Sequence, residues 1–150
     1  DTKSTADGVE AITNRHRIAD AVEDSERIDE VLGLRTSLLG ATNRAARPGL
    51  AARLESWIRD QGPHGVAWAQ RAMAARPDRT DVLRRYDGPS VVVVGDEDEL
   101  APVAAAQHMV DALSVRGSSE LVIVPRAGHM TTIEAPEVVA SALSQLVQRV

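Results

Sequence analysis

Apolar residues change their spacing along this chain. Up to about residue 76 they recur every three or four positions, and after Gly88-Pro89 they come in short unbroken runs. The first pattern predicts amphipathic helices and the second predicts buried strands. Asp7, with Glu10 three residues on, forms a capping-box-like start. Val9, Ile12, Ile18, Ala19 and Val22 then supply a helical stripe. Beyond the polar stretch from Asp24 to Glu26, the positions Ile28, Val31, Leu32 and Leu34 predict a short further helix or turn. Pro48 opens a cleaner helix running to about residue 61, with Leu50, Leu54, Trp57 and Ile58 on one face. Proline suits the first helical position because its missing N–H has no partner to lose there. Gly62 and Pro63 stop that helix. A third runs from about Pro63 to Arg76, with Val66, Ala69, Gln70 and Met73 at helical spacing. Pro77 ends it by pushing the preceding residue out of helical geometry. The segment from Asp78 to Tyr86 reads as a short capped turn or helix.

The second half alternates element types. Ser90 to Val94 predicts a strand, and Pro102 to Leu113 a helix with Val103, Ala106, Met109, Val110 and Leu113 inward. Glu120 to Val124 predicts a second strand. A last helix covers Pro136 to Val150, with Val139, Leu143, Leu146 and Val150 as its stripe. Strand, helix, strand and helix make a βαβ unit with parallel strands. Continuously apolar strands imply burial on both faces of a parallel sheet. Two strands alone do not make a stable sheet of that kind, and an edge would stay open. The expected fold class is therefore α/β with an incomplete sheet, completed by residues outside this chain. Residues 1–86 form the helical segment and 87–150 the βαβα part.

Composition narrows the functional classes. The chain's 150 residues allow one domain with a real core, and 43% hydrophobic with 26% charged residues is ordinary for a globular protein. A net charge of −5, with arginines dispersed among acids, argues against a nucleic-acid partner. The absence of cysteine excludes disulfides, thiolate metal sites and a cysteine nucleophile. It fits a reducing compartment, so a cytoplasmic location is expected. No apolar run reaches the roughly 20 residues of a membrane helix, and no charged-then-apolar leader opens the sequence. No membrane partner is expected. The first residue is Asp1 rather than Met, which suggests processing or truncation. With aromatics at 2% and no Phe, the core must be built from Val, Leu, Ile, Ala and Met.

Two titratable residues follow the two strands. Asp98 lies in Val91-Val92-Val93-Val94-Gly95-Asp96-Glu97-Asp98, and His129 in Leu121-Val122-Ile123-Val124-Pro125-Arg126-Ala127-Gly128-His129. Sites in parallel sheets form at the carboxyl ends of strands. A carboxylate there can hold the histidine Nδ1–H, leaving Nε2 to exchange a proton with a nucleophile. Gly128 would let the histidine loop approach another loop closely. Each residue alone has a plainer reading. Asp98 suits a helix cap or turn ahead of Pro102, and His129 suits a loop. Asp96 competes as the acid, while Glu97 and Glu99 read as solvated turn charges. His16, His64 and His108 fall on predicted helices or their ends. His108 and Asp111 are three apart, but nothing completes a metal site, so no metal is expected. No cofactor is expected either. The turn after Val94 lacks Gly-x-Gly-x-x-Gly, and its acids would repel phosphate. Trp57 and Trp68 read as packing residues.

Together, Gly95-x-x-Asp98-x-x-x-Pro102, Ala127-Gly128-His129 and Glu134-Ala135-Pro136-Glu137 resemble the C-terminal half of an α/β-hydrolase. An acid followed by a histidine matches the order of the triad's last two members in that family. The order of elements is similar to the cap region and final two strand–helix units of the 3-oxoadipate enol-lactonase-like branch. The resemblance is strongest from about Arg71 to Val150. It implies that Asp98 is the triad acid, that His129 is the triad base, and that the helices between about Val9 and Arg76 form a cap. The implied reaction is hydrolysis of a small-molecule ester or lactone. The sequence departs from the family in one large respect. It has no Gly-x-Ser-x-Gly, and Ser37, Ser56, Ser114, Ser118, Ser119, Ser141 and Ser144 lack the flanking glycines of a nucleophile elbow. The oxyanion loop is missing too. The expectation is a chain that supplies acid and histidine, inactive alone, whose partner is an N-terminal hydrolase half or a second copy. The alternative is a non-catalytic association module that pairs by its strand edge or by domain swapping.

Overall fold

Valines 91 to 94 extend because β-branched side chains fit a pleated surface better than a helix. In the computed structural model, which describes residues 2–149, they form the centre of β1 (Pro89–Gly95). Strand β2 (Ser118–Val124) pairs with it in parallel, in a register running from Pro89 opposite Ser118 to Gly95 opposite Val124. Helix α8 (Val103–Leu113) makes the crossover. Side chains alternate between the two faces of a strand. Val92 and Val94 accordingly meet Ala106, Met109 and Leu113 of α8, with Leu121, Val103, Val110 and Leu83 around them. On the other face, Glu120 and Val122 look toward α10 (Pro136–Val147) across a groove of about 420 Å³.

These two strands make the whole sheet among the described residues, so the α/β fold with an incomplete sheet stands as expected. Burial on both faces does not follow within this chain. Ile123 is 46% exposed, and Leu121 and Val122 are only partly covered. The α10 stripe is also only half covered. Ala142 is buried, whereas the expected core residue Leu143 is 52% exposed. The expected stripe residue Val150 lies outside the described residues.

The chain divides into two compact units whose boundaries differ from a split at residue 86. The strand-bearing unit takes the first few residues, Ser37–Pro48 and everything from Arg79 onward. It holds α4 (Ala41–Ala46), α7 (Thr80–Arg85) and α9 (Thr131–Glu134) as well as the βαβα part. Within it, Ser4 accepts the Arg79 N–H through its carbonyl at 2.8 Å, and its hydroxyl meets that of Thr80 at 3.0 Å.

The helical unit comprises Thr5–Thr36 and Gly49–Asp78. Its α1 (Val9–Ser25) packs along α6 (Pro63–Ala74), joined by α2 (Asp29–Leu32) and most of α5 (Pro48–Arg59). The short α3 (Leu34–Ser37) lies at the boundary. Ala19, Val22, Ala67 and Ala74 are buried on the two long helices, and small side chains let helices approach closely. Two expectations change here. Asp7 does not cap α1, whose N-cap is Gly8; its buried carboxylate pairs with Arg15 and Arg76 instead. Val9 is 83% exposed rather than part of the stripe. Trp68 is 72% exposed, so it is no packing residue within this chain. Trp57 is stacked by the Arg53 guanidinium at 4.5 Å. No described helix is long and apolar enough to cross a membrane.

Candidate active site

The two strands end side by side, so the turns after them leave the sheet together. Backbone bonds tie those turns. Asp96 N–H donates to the Val124 carbonyl at 3.0 Å, and Glu97 N–H to the Ala127 carbonyl at 2.9 Å. The contact is close enough to exclude a side chain at Gly95, where a Cβ would lie 2.0 Å from the Ala127 carbonyl oxygen. Asp96, the competing acid, is exposed and accepts the Arg126 N–H at 2.6 Å. That bond steadies a residue whose φ of 58° is left-handed.

Asp98 turns inward. Its side chain is fully buried, and Oδ1 accepts the N–H groups of Leu100 and Ala101 at 2.8 and 2.9 Å. Oδ2 lies 2.9 Å from His129 Nδ1. A carboxylate only accepts, so this pairing puts a proton on Nδ1. Among the described residues no group bonds Nε2, and the imidazole is 25% exposed. The plainer reading of Asp98 as a turn acid holds for Oδ1. One oxygen holds its own turn while the other holds the histidine.

Glu97 is not the solvated charge its sequence suggested. Its carboxylate accepts both the hydroxyl and the N–H of Thr42, the latter at 2.8 Å. Those bonds, the hydroxyl first, hold its pKa below the ordinary value, with Arg44 and Arg126 adding to the effect against a desolvation cost. Glu99 is exposed.

Glu134, named in the sequence only as the start of Glu134-Ala135-Pro136-Glu137, has a role that sequence reasoning missed. It is 5% exposed; Oε1 accepts Gly128 N–H at 2.8 Å, while Oε2 accepts Gly40 N–H at 2.9 Å and Asn43 Nδ2 at 3.0 Å. Around it, Met130 N–H donates to the Leu38 carbonyl, Asn43 Nδ2 to the Arg126 carbonyl, and Arg47 to the Glu134 carbonyl. Residues 38–47 therefore form a strap across both turns. Its signal in the sequence was negative. The stretch from Ala41 to Ala46 has no apolar stripe, so it could not be an ordinary amphipathic helix.

The other histidines make no bond to this pair among the described residues. His16 and His64 are exposed on α1 and α6, and His108 meets the Thr80 hydroxyl at 3.3 Å. Among the described residues no three His, Asp or Glu side chains converge as metal ligands. The groove beside α10 is lined by neither Asp98 nor His129.

No family model matches the sequence. The chain is 28% identical over 134 residues to a 2-hydroxy-6-oxo-6-(2'-aminophenyl)hexa-2,4-dienoic acid hydrolase of Metapseudomonas resinovorans, covering 89% of this chain and 40% of that protein. A thermophilic esterase from Thermogutta terrifontis superposes with a TM-score of 0.89 at 29% identity, over 98% of this chain and 53% of the esterase. An enol-lactonase from Burkholderia xenovorans gives a TM-score of 0.78 at 16% identity, which shows the fold alone, over 98% and 54% of the two chains. The chain spans about half the length of these solved structures and less of the curated relative. An incomplete two-stranded parallel sheet, in a chain that superposes on about half of each of these solved structures, is a partial α/β-hydrolase fold.

Proposed function

We propose that this chain supplies the acid and the base of a serine hydrolase acting on a small ester or lactone. The nucleophile and oxyanion hole come from a complementary hydrolase half outside these 150 residues, and the helical unit is the enzyme's cap segment. The observation that carries the reading is the 2.9 Å contact between a buried Asp98 and His129 Nδ1, with Nε2 bonded by no group among the described residues. In this arrangement Nε2 takes the proton of the attacking serine hydroxyl as the carbonyl becomes tetrahedral. It returns that proton to the leaving alkoxide, forming an acyl-enzyme. A water then attacks the acyl group, giving its proton to Nε2, which passes it back to the serine. Asp98 stays ionised and stabilises the imidazolium in both halves. Lacking the nucleophile and oxyanion hole, the chain by itself would hydrolyse nothing measurable. Co-expression with the N-terminal half of the Thermogutta terrifontis esterase, followed by assay with p-nitrophenyl acetate, tests this. Turnover is expected, with His129→Ala losing at least about 10³-fold in kcat. A soluble, correctly paired complex with no turnover would overturn it, as would a His129→Ala complex of normal rate.

A second reading rests on the uncovered apolar side chains Ile123, Leu143 and Val147, at 46, 52 and 73% exposure. They favour a second copy as the partner, in an edge-joined or domain-swapped dimer. Light scattering behind size exclusion distinguishes the two, since a stable monomer removes this reading.

A further inference from the structure

We propose that Glu134 is a positioning residue for His129. The role rests on the hydrolase reading for its purpose, but not for its physics. Glu134 does not touch the imidazole. It acts through the backbone on either side, because its Oε1 fixes the N–H of Gly128, the residue before His129. Its Oε2 fixes the strap at Gly40 and Asn43. The strap returns to the same loop. Leu38 accepts the Met130 N–H, and Asn43 donates to the Arg126 carbonyl. His129 is thus held from both neighbours and from two residues further back.

The spacing leaves no slack for another arrangement. A Cβ at Gly128 would lie 2.3 Å from Gly40 N, and one at Gly40 would lie 2.8 Å from Gly128 N and 2.7 Å from a Glu97 carboxylate oxygen. The strap and the histidine loop touch backbone to backbone. In such a contact the N–H groups of Gly40 and Gly128 cannot reach water, and one buried carboxylate satisfies both. Ionised carboxylates bind backbone N–H groups more strongly than neutral acceptors do. A glutamine at this position has a single acceptor oxygen. Either orientation of its amide sets an NH₂ against a backbone N–H, because both oxygens of Glu134 face donors. The substitution keeps shape and volume while breaking one of the two anchors.

The readout is the His129 Nδ1–H proton, observed by NMR in the ¹⁵N-histidine-labelled 150-residue chain with no substrate. In the wild type the bond to buried Asp98 protects this proton from exchange. Glu134→Gln is expected to speed its exchange with water at least tenfold, together with the amide of Gly40 or Gly128. Leu54→Ala, a cavity in the helical unit, is the control for general destabilisation and is expected to leave the proton unchanged. Should Glu134→Gln fail to fold, Asn43→Ala decides the question. It removes one donor to Oε2 and the tie to Arg126 and is expected to raise exchange severalfold. An Nδ1–H as slow in the variant as in the wild type overturns the proposal, and so does equal acceleration in Leu54→Ala. This outcome is independent of hydrolysis. An inactive reconstituted complex with a clear exchange effect removes the enzyme reading and leaves the positioning role intact.

Discussion

The strand-bearing and helical units solve the same problem with different materials. In the helical unit, α1 and α6 are joined by small buried side chains and by arginines reaching for acids. Arg71 binds Asp20 and Glu23 at 2.6 to 2.9 Å, and Arg15 binds Asp7 and Gln70. Long guanidinium side chains can swing, so such ties tolerate small shifts of the helices. In the strand-bearing unit the ties run from carboxylates to backbone N–H groups. Asp98, Glu97 and Glu134 each bind main chain, and Gly40, Gly95 and Gly128 bring main chain against main chain. A backbone donor has no rotamer to adjust. The first unit is built to be stable, and the second holds two side chains in a fixed relation.

The comparison is broken most severely by adding one methyl group where backbones meet. Gly95→Ala places a Cβ 2.0 Å from the Ala127 oxygen. It is expected to cost more than about 3 kcal/mol, since neither backbone can give way. Urea unfolding would report this, and a cost under about 1 kcal/mol would contradict the rigid contact. The helical unit should respond more mildly even to a change of two carbon atoms. Val22, fully buried on α1, is expected to cost about 2 kcal/mol when replaced by alanine. The same urea titration measures it. A loss as large as that of Gly95→Ala would erase the distinction between the units.

The smallest effect is electrostatic. The Glu97 pKa is held below its ordinary 4.5 in the folded state, chiefly by the Thr42 hydroxyl and N–H. A depressed carboxyl pKa gives stability that is present above the unfolded value and is lost as pH falls through the folded one. The strap should therefore loosen on the acid side of pH 4.5. Thr42→Val removes the hydroxyl donor and should return the Glu97 titration, followed by carboxyl ¹³C shifts, toward its ordinary value. An unmoved titration would mean that Thr42 does not hold Glu97.

Much of this architecture could be read from residue order. The valine run, the apolar run ending at Val124 and the prolines at 48, 63 and 136 place strands and helix starts directly, because local sterics dominate at those positions. Asp98 and His129 were legible because each lies in the turn after a strand, and parallel strands bring their ends together. Glu134 and the strap were not. Their bonds join residues up to 94 positions apart, through backbone groups that every residue possesses. No pattern of side chains along the sequence marks a backbone donor as buried. Likewise, Leu143 fits a helical stripe by periodicity, yet periodicity names a face without saying whether anything covers it.

Neither unit is one continuous length of chain. The polypeptide passes from one to the other four times, with Ser37–Pro48 set between two stretches of the helical unit. Exchange of genetic material between relatives works on continuous segments. Exchange of the one continuous segment from residue 5 to 78 would also replace Gly40, Thr42 and Asn43, and so would carry foreign partners to Glu97 and Glu134. Helical regions can therefore be traded between relatives of this fold only in two pieces, or between sequences that already agree across the strap. The pair at Asp98 and His129 is in this sense inherited together with a short segment more than fifty positions upstream.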